Sequence, residues 1–507
     1  MSTSSSMITG TSSTPSDDVR SFKMFIDGQW VGARSGATMA IVDPASEEVV
    51  AHVPNGGVDD AQEAIVAARR AFDEGPWPRL TPLERANILR AAAALVRERT
   101  EELARLETRQ MGKLLADARY DMGDVAYCLD HAAGLATSQL GQQVSLAAPP
   151  AFATVVREPV GVVVGITPWN FPLLLGAWKF ASALAAGNVF IVKPASLSPL
   201  TTLEMASIFE QAGLPTGVFQ VVVGPGSSVG DAFSSSPLVD MVTITGSLEV
   251  GVHVMRTAAD TVKKVGLELG GKSPNIVFED ADREAALQGA LFGAFANAGQ
   301  VCCAGSRLLV QRSIYEGFVR ELVERTRAIR VGSGLEPDSE MGPLVSRDQL
   351  ETTEEYVRLG RQEGAKLLCG GKRIDGTGFF YEPTVFGAVD NSMRIAQEEI
   401  FGPVVVVIPF ETEEEAITIA NDTIYGLAGG VWTKDAARAL RVVRAVRAGT
   451  MYVNTYNWSP VELPWGGYKR SGLGRELGSL GLDEFMETKS VIIDTSGEPL
   501  GLYSGAS

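Results

Sequence analysis

A pair of cysteines and a glutamate are the residues of this chain best placed to do chemistry. Cys302 and Cys303 stand in FANAGQVCCAGSR, residues 295–307, between an apolar helical run, LFGAFANAGQ, and RLLVQRSIY, which alternates and carries β-branched residues. Glycine punctuates the junction at Gly299. Glycines let the backbone approach a ligand closely and leave N–H groups to meet an oxyanion beside a nucleophile. A buried cysteine can equally be a small apolar side chain. Upstream, LELGGKSPN sets Glu268 between two leucines and ahead of a Gly-Gly pair. A carboxylate partly removed from water is harder to ionise and moves toward neutral pH, where it takes a proton from water efficiently. An ion pair or a strand end is the other explanation for such a residue.

A frame must hold these groups. FKMFIDGQWV alternates around Asp27-Gly28, a hairpin signal, and starts the folded part near residue 22. From Val58 to about Gln139 the spacing is helical, with Thr81 or Asp59 as caps and Gly112 as a stop. GVVVGI, NVFIVKPA, FQVVVGP and MVTITG follow as β-branched runs, each before helical sequence, which predicts a parallel, doubly wound sheet. Such sheets bind ligands beyond the carboxyl ends of their strands. In MVTITGSLEVG, Gly246 follows a strand and Gly251 lies one turn into a helix. The pattern departs from G-x-G-x-x-G, yet Gly246 and Ser247 still offer a helix N-terminus to a pyrophosphate. Helix packing is the alternative use of those glycines. A second α/β unit follows, with KLLCGG, GPVVVVIPF and GTMYVNT as strands.

At 507 residues the chain predicts two or three domains. Lys plus Arg is 44 and Asp plus Glu 61, so 44 − 61 gives −17, and such a surface repels nucleic acid and anionic lipid. Cys128, Cys302, Cys303 and Cys369 are too few and too irregular for a disulfide framework or zinc site, which fits a reducing cytoplasm. His52, His131 and His253 are scattered, so no metal is expected. No run reaches the length of a membrane helix, and residues 1–21 and 496–507 read as disordered tails without an address.

With PWNFP at 168–172 and EEIFGPV at 398–404, the thiol and glutamate stretches resemble the aldehyde dehydrogenase superfamily from about Phe25 to about Asp494. The resemblance implies an α/β fold with a doubly wound, parallel-sheet cofactor domain (22–146 and 161–270) and an α/β catalytic domain (271–475). It also implies a small β element for oligomerisation (147–160 and 476–495), and hence a homodimer or homotetramer. The family pattern G-Q-x-C falls on Gly299, Gln300 and Cys302, making Cys302 the nucleophile and Cys303 its replaceable neighbour. Asn170 and the Cys302 N–H would hold the oxyanion, and loss of one such donor costs about 2.7–4 kcal/mol of barrier stabilisation. Glu268 would activate water to hydrolyse a thioester. Lys179 and Glu476 match proton-relay positions, or form an ion pair.

For NAD or NADP the resemblance implies Ile166, Thr167, Pro168, Trp169, Lys193, Ser196, Gly226, Gly246, Ser247, Gly251, Leu269, Glu399 and Phe401. Ser196 stands where NAD-preferring relatives carry glutamate, so NADP acceptance is expected. Phe171, Trp178 and Trp465 match the aromatic entrance tunnel. VELPWGGYKRSGLGRELG is similar to the betaine aldehyde branch, whose aromatic cage binds quaternary ammonium. Ala296 replaces one tryptophan of that cage and Phe171 a tyrosine, which favours a neutral aldehyde first and an amino- or trimethylammonio-aldehyde second. The rival from another class is a cofactor-free cysteine esterase, which normally wants a histidine base.

Overall fold

The computed structural model describes residues 19–138, 141–147 and 150–497. The expected hairpin joins β1 (Met24–Ile26) to β2 (Gln29–Val31), and Asp27 (φ 51°) and Gly28 (φ 73°) supply the two left-handed residues of its turn. Strand pairing already includes Arg20–Ser21, slightly before the residue expected to start the fold, because these two residues pair in parallel with Val49–Pro54. Residues 1–18 and 498–507 of the two expected tails lie outside the described residues.

Four helices follow: α1 (Val58–Asp73), α2 (Pro82–Glu98), α3 (Thr100–Met111) and α4 (Leu115–Thr137). Thr81 caps α2 in a capping box with Glu84, and Gly112 (φ 92°) ends α3, both as the sequence predicts. Asp59 does not cap α1. Gly57 holds that position, and the neighbouring carboxylate, Asp60, accepts the Gly57 N–H at 2.8 Å.

Five parallel strands form the centre of the first large sheet: β3 (Val162–Ile166), β4 (Val189–Lys193), β5 (Phe219–Val221), β6 (Met241–Thr245) and β7 (Lys264–Glu268). Helices α5 (Pro172–Ala186), α6 (Leu200–Gln211) and α7 (Leu248–Ala259) connect them. Helices cover the sheet, so these strands are nearly continuous apolar runs instead of alternating ones. In the order β7-β6-β3-β4-β5 the direction of growth reverses beside β3, which opens a crevice at the strands' carboxyl ends.

After β7 the chain crosses at residues 269–273 to a second sheet built from β8 (Pro274–Val277), β9 (Arg307–Gln311), β10 (Lys366–Cys369), β11 (Thr384–Gly387), β12 (Val404–Phe410), β13 (Ala428–Trp432) and β14 (Thr450–Val453). Its order is β10-β11-β12-β9-β8-β13-β14, with β10 alone antiparallel to its neighbour. Glu268 thus ends a strand of one sheet, and the thiol loop joins α8 (Arg283–Phe295) to β9 of the other.

Two segments lie elsewhere than the sequence division places them. Gly472–Leu473 (β15) closes the edge of the first sheet against β7, although it falls within the stretch expected to build the second. Gln142–Val144 joins a small antiparallel sheet with Ala151–Pro159 and Met486–Asp494, away from the cofactor sheet. Phe152, Ile492 and Ile493 are exposed on that small sheet.

One exposed loop residue holds a left-handed backbone although its N–H donates to Ala259 O at 3.1 Å. Val262, between α7 and β7, has φ 54° and is 90% exposed. A left-handed β-branched residue costs about 1–2 kcal/mol. Val262→Asn therefore raises the free energy of urea unfolding by about 1 kcal/mol with activity unchanged, and an unaltered unfolding midpoint would refute the strain.

Candidate active site

Helix α8 unwinds through three consecutive left-handed residues, Asn297 (φ 50°), Ala298 (φ 56°) and Gly299 (φ 72°). A Cβ on Gly299 would stand 2.2 Å from the Gly402 carbonyl oxygen, so the elbow passes there only as glycine. Gln300 then anchors the loop. Its side-chain amide donates to Asn297 O at 2.9 Å, its Oε1 accepts from Val345 N at 2.9 Å, and its carbonyl accepts from Asn170 Nδ2 at 2.9 Å. The Gly-Gln pair ahead of Cys302 thus turns the chain and fixes it against the Asn170 amide.

Cys302 is half-buried and opens into a cavity of about 540 Å³. Cys303, buried, borders the same cavity with Sγ 3.5 Å from Asn457 Oδ1, and its carbonyl accepts from Tyr456. The Cys303 side chain hydrogen-bonded to it, followed by burial, pushes the Cys302 thiol well above its usual pKa. The resting sulfur is therefore protonated and needs a base.

The structure does not bring Glu268 into the cavity that Cys302 lines. Its carboxylate is buried beneath Gly466 and borders a separate small pocket with Thr243, Arg475 and Glu476. Burial first and the Glu476 charge second raise its pKa well above the carboxylate range, and its Oε2 has no hydrogen-bond partner. Lys179, fully buried in α5, pairs with Glu476 and lies 3.4 Å from Thr243 Oγ1. The ion-pair alternative therefore holds, but as a buried pair, with Glu476 Oε2 also unpartnered. A two-way backbone bridge ties Glu476 to Trp465, with N···O distances of 2.7 and 2.8 Å. Its side chains face different ways, Glu476 toward the pocket of Glu268 and Trp465 into the cavity of Cys302.

The residues expected at a dinucleotide gather along the carboxyl ends of the first sheet. Ile166 ends β3 and Thr167–Trp169 follow it, Lys193 ends β4, and Gly246 and Ser247 lie between β6 and α7. Ser247 caps the twelve-residue α7 by accepting from Val250 N, at a turn open to solvent. A Cβ on Gly230 would lie 3.9 Å from both Ile166 Cδ1 and Lys193 Cδ, which brings the segment beginning at Gly226 against β3 and β4. Ser196 donates to Gly224 O at 3.1 Å. Gly251 packs directly against Leu269, since a Cβ there would stand 2.4 Å from the leucine. Glu399 Oε1 accepts from Gly271 N at 3.1 Å, and burial pushes its pKa up to about 7. Phe401 meets Trp169 edge to face at 5.1 Å. A strand-end crevice with an open helix N-terminus, a buried lysine and an unpartnered Thr167 Oγ1 suits an anionic, hydroxyl-rich cofactor.

Phe171, Trp178 and Trp465 all line the cavity of Cys302, with the two indoles 5.6 Å apart. Sequence reasoning missed another part of the lining. Asp117, Asp121 and Asp124 of α4 face the cavity with Lys113 and Tyr120, and Trp458 stands at its exposed rim. Their four- and three-residue spacing is one helical face, a signal present in a stretch read only as scaffold. Burial and then Asp121 push Asp124 up to about 6.

Comparison with known proteins agrees with this architecture. The profile of the aldehyde dehydrogenase family matches residues 30–491. The chain belongs to the aldehyde dehydrogenase family. Among its relatives in that family, a betaine aldehyde dehydrogenase of Bacillus subtilis (strain 168) is 48% identical over 476 residues, covering 93% of this chain and 97% of that one. An aminoaldehyde dehydrogenase 2 of Zea mays is 45% identical over 489 residues, covering 95% and 97%. A crystal structure of betaine aldehyde dehydrogenase from Staphylococcus aureus in complex with NAD+ superposes with a TM-score of 0.94 at 45% identity, covering 95% and 97%. No helix among the described residues is long and apolar enough to cross a membrane.

Proposed function

We propose that this chain oxidises an aldehyde bearing a positive charge to its carboxylic acid, with NAD as hydride acceptor and NADP also accepted. The observation that carries the substrate class is that carboxylates of α4 line the cavity of Cys302 together with indole and phenyl rings. Aromatic faces attract a cation, and half-buried carboxylates attract it more strongly than they would in bulk water. This favours the ammonio-aldehyde over the neutral one that Ala296 and Phe171 alone suggest. Betaine aldehyde, named for two of the relatives above, belongs to that cationic class.

Cys302 gives its proton to a base and its sulfur adds to the carbonyl carbon, leaving an oxyanion. The Asn170 amide and the Cys302 N–H hold that charge. Bound NAD supplies the acceptor for the hydride that leaves as the carbonyl re-forms, with a thioester remaining on Cys302. Lys193 and Ser196 hold the adenosine ribose, Gly246 and Ser247 the pyrophosphate, and Glu399 the nicotinamide ribose. Glu268, turning from its pocket toward Cys302, takes a proton from water, which attacks the thioester and frees the acid. The proton leaves toward Glu476 and Lys179. A cofactor-free esterase lacks support, because no histidine among the described residues lines the cavity of Cys302. The exposed apolar residues of the small sheet support self-association as a dimer or tetramer, and four free cysteines fit a reducing cytoplasm.

A panel of aliphatic, aromatic and ammonio aldehydes, followed by NADH and NADPH absorbance, tests substrate class and cofactor together. Ser196→Glu, by repelling a 2′-phosphate, weakens NADP relative to NAD by about tenfold or more. A wild-type Michaelis constant for NADP hundreds of times that for NAD would remove the NADP part. Charge recognition also predicts a pH dependence. Asp124 is neutral below its raised pKa of about 6 and ionised above it, so kcat/KM for a trimethylammonio-aldehyde rises with pH through that point. Relative to an uncharged isostere the gain between pH 5 and 7 is about three- to tenfold, and Asp124→Asn abolishes it. A pH-independent ratio would count against Asp124.

A further inference from the structure

We propose that a basic pocket beside the C-terminal turns of helix α9 (Arg347–Gln362) is a second ligand site, separate from the cavity of Cys302, for a small anion carrying two or more phosphate or carboxylate groups. The pocket has a volume of about 400 Å³, and Arg358, Arg361, Lys372 and Arg373 line it together with Tyr381 and a single carboxylate, Glu354. None of these residues lines the cavity of Cys302. Four cations against one anion reverse the balance of the chain as a whole, whose formal charge is −17.

Two elements bring the charges together. Glu354, Arg358 and Arg361 are spaced by four and three residues, which is one face of α9. The other cations come from a short antiparallel ladder, in which Arg373 pairs with Tyr381, Ile374 N donates to Phe380 O at 3.0 Å and Glu382 N donates to Lys372 O at 3.1 Å. Directly paired residues of such a ladder carry their side chains on one face, so Arg373 and Tyr381 reach the pocket together. Arg361 is tied to the turn that starts this ladder. Its Nη2 lies 3.4 Å from Gly371 O, and a Cβ on Gly371 would stand 3.1 Å from the same nitrogen, so the guanidinium rests against bare backbone.

What the pocket lacks is counter-charge. Arg358 is 3.6 Å from Glu355 and Lys372 is 3.7 Å from Glu382, both loose pairs, while Arg361 and Arg373 have no carboxylate within ion-pair distance among the described residues. Tyr381 is 2% exposed, yet its hydroxyl has no hydrogen-bond partner among the described residues. Burial first and the Glu354 charge second push the pKa of that hydroxyl up, against Arg361, so a neutral O–H donor stands beside the charges of the pocket. Guanidinium groups present paired N–H donors that match phosphate and carboxylate oxygens two at a time. A ligand with two such groups meets Arg361, Arg373 and the Tyr381 O–H at once, whereas a monovalent anion meets them singly.

The test is calorimetric titration of the full chain, saturated with NAD so that the cofactor crevice is filled, with sodium pyrophosphate, citrate and acetate at one ionic strength set by NaCl. Pyrophosphate or citrate binds saturably, one per chain and about tenfold or more tighter than acetate, and the tighter of the two assigns phosphate or carboxylate as the recognised group. Arg361→Gln/Arg373→Gln weakens that binding by about tenfold or more and Tyr381→Phe by about twofold or more, with aldehyde oxidation in the absence of the anion unchanged. Arg90→Gln/Arg320→Gln, which removes two exposed arginines elsewhere, leaves the affinity unchanged. Should the double pocket variant fail to fold, Arg373→Gln alone weakens binding by about threefold or more. Absence of saturable binding, acetate binding as tightly as pyrophosphate and citrate, or equal weakening by Arg90→Gln/Arg320→Gln overturns the site. Full affinity in a folded Arg361→Gln/Arg373→Gln variant puts the anion elsewhere and overturns it as well.

Discussion

Cys302→Ala lowers kcat/KM for aldehyde oxidation by about four orders of magnitude or more, whereas Cys303→Ala stays within about threefold of wild type. Both thiols border one cavity, so location does not separate them. Their surroundings do. Cys302 is the half-buried one and directly follows the anchored Gln300 segment that the Asn170 amide grips. Cys303 is buried, with its sulfur near Asn457 and its carbonyl held by Tyr456, a packed arrangement that a methyl group can replace. Removal of the Cys303 sulfur also takes away the largest cause of the raised Cys302 pKa, so alkylation of Cys302 by iodoacetamide becomes faster in that variant. The opposite pattern of activities would exchange the roles of the two residues.

Glu268→Gln changes the course of the reaction instead of stopping it. Each active site forms one NADH in a rapid burst, and turnover then falls by about 10²–10³, because the thioester waits for an unactivated water. In the wild type the hydrolytic step accelerates as pH rises through the elevated Glu268 pKa, since only the ionised carboxylate accepts a proton. That limb is absent from the variant. Stopped-flow absorbance with acid-quench trapping of the acyl enzyme measures both effects, and a variant with no burst would show that Glu268 serves thiol activation first.

Much of the scaffold is legible in the sequence because its cues are local. Alternating residues around Asp27-Gly28, the Thr81 cap and the β-branched runs ending at Ile166, Lys193 and Thr245 each appear where periodicity and capping place them. The misplaced segments are those whose position depends on distant partners. Nothing local in Gly472–Leu473 tells that it pairs with β7, and Gln142–Val144 is defined by Ala151–Pro159. The site follows the same division. Gly299, Gln300 and Cys302 carry a motif, but the carboxylates of α4 look like the solvated face of an ordinary helix until the fold sets them in one cavity with Trp178 and Trp465. That Glu268 borders the pocket of Glu476 and not the cavity of Cys302 likewise depends on residues distant in the chain, which primary structure does not encode locally.

The backbone ladder between Trp465 and Glu476 makes two functions share one rung. A substitution that widens the tunnel at Trp465 also loosens the support of the carboxylate beneath Glu268, so acceptance of bulkier aldehydes and the speed of acyl release change together. Redesign of this wall for larger substrates is therefore best judged by burst and steady-state rates measured side by side.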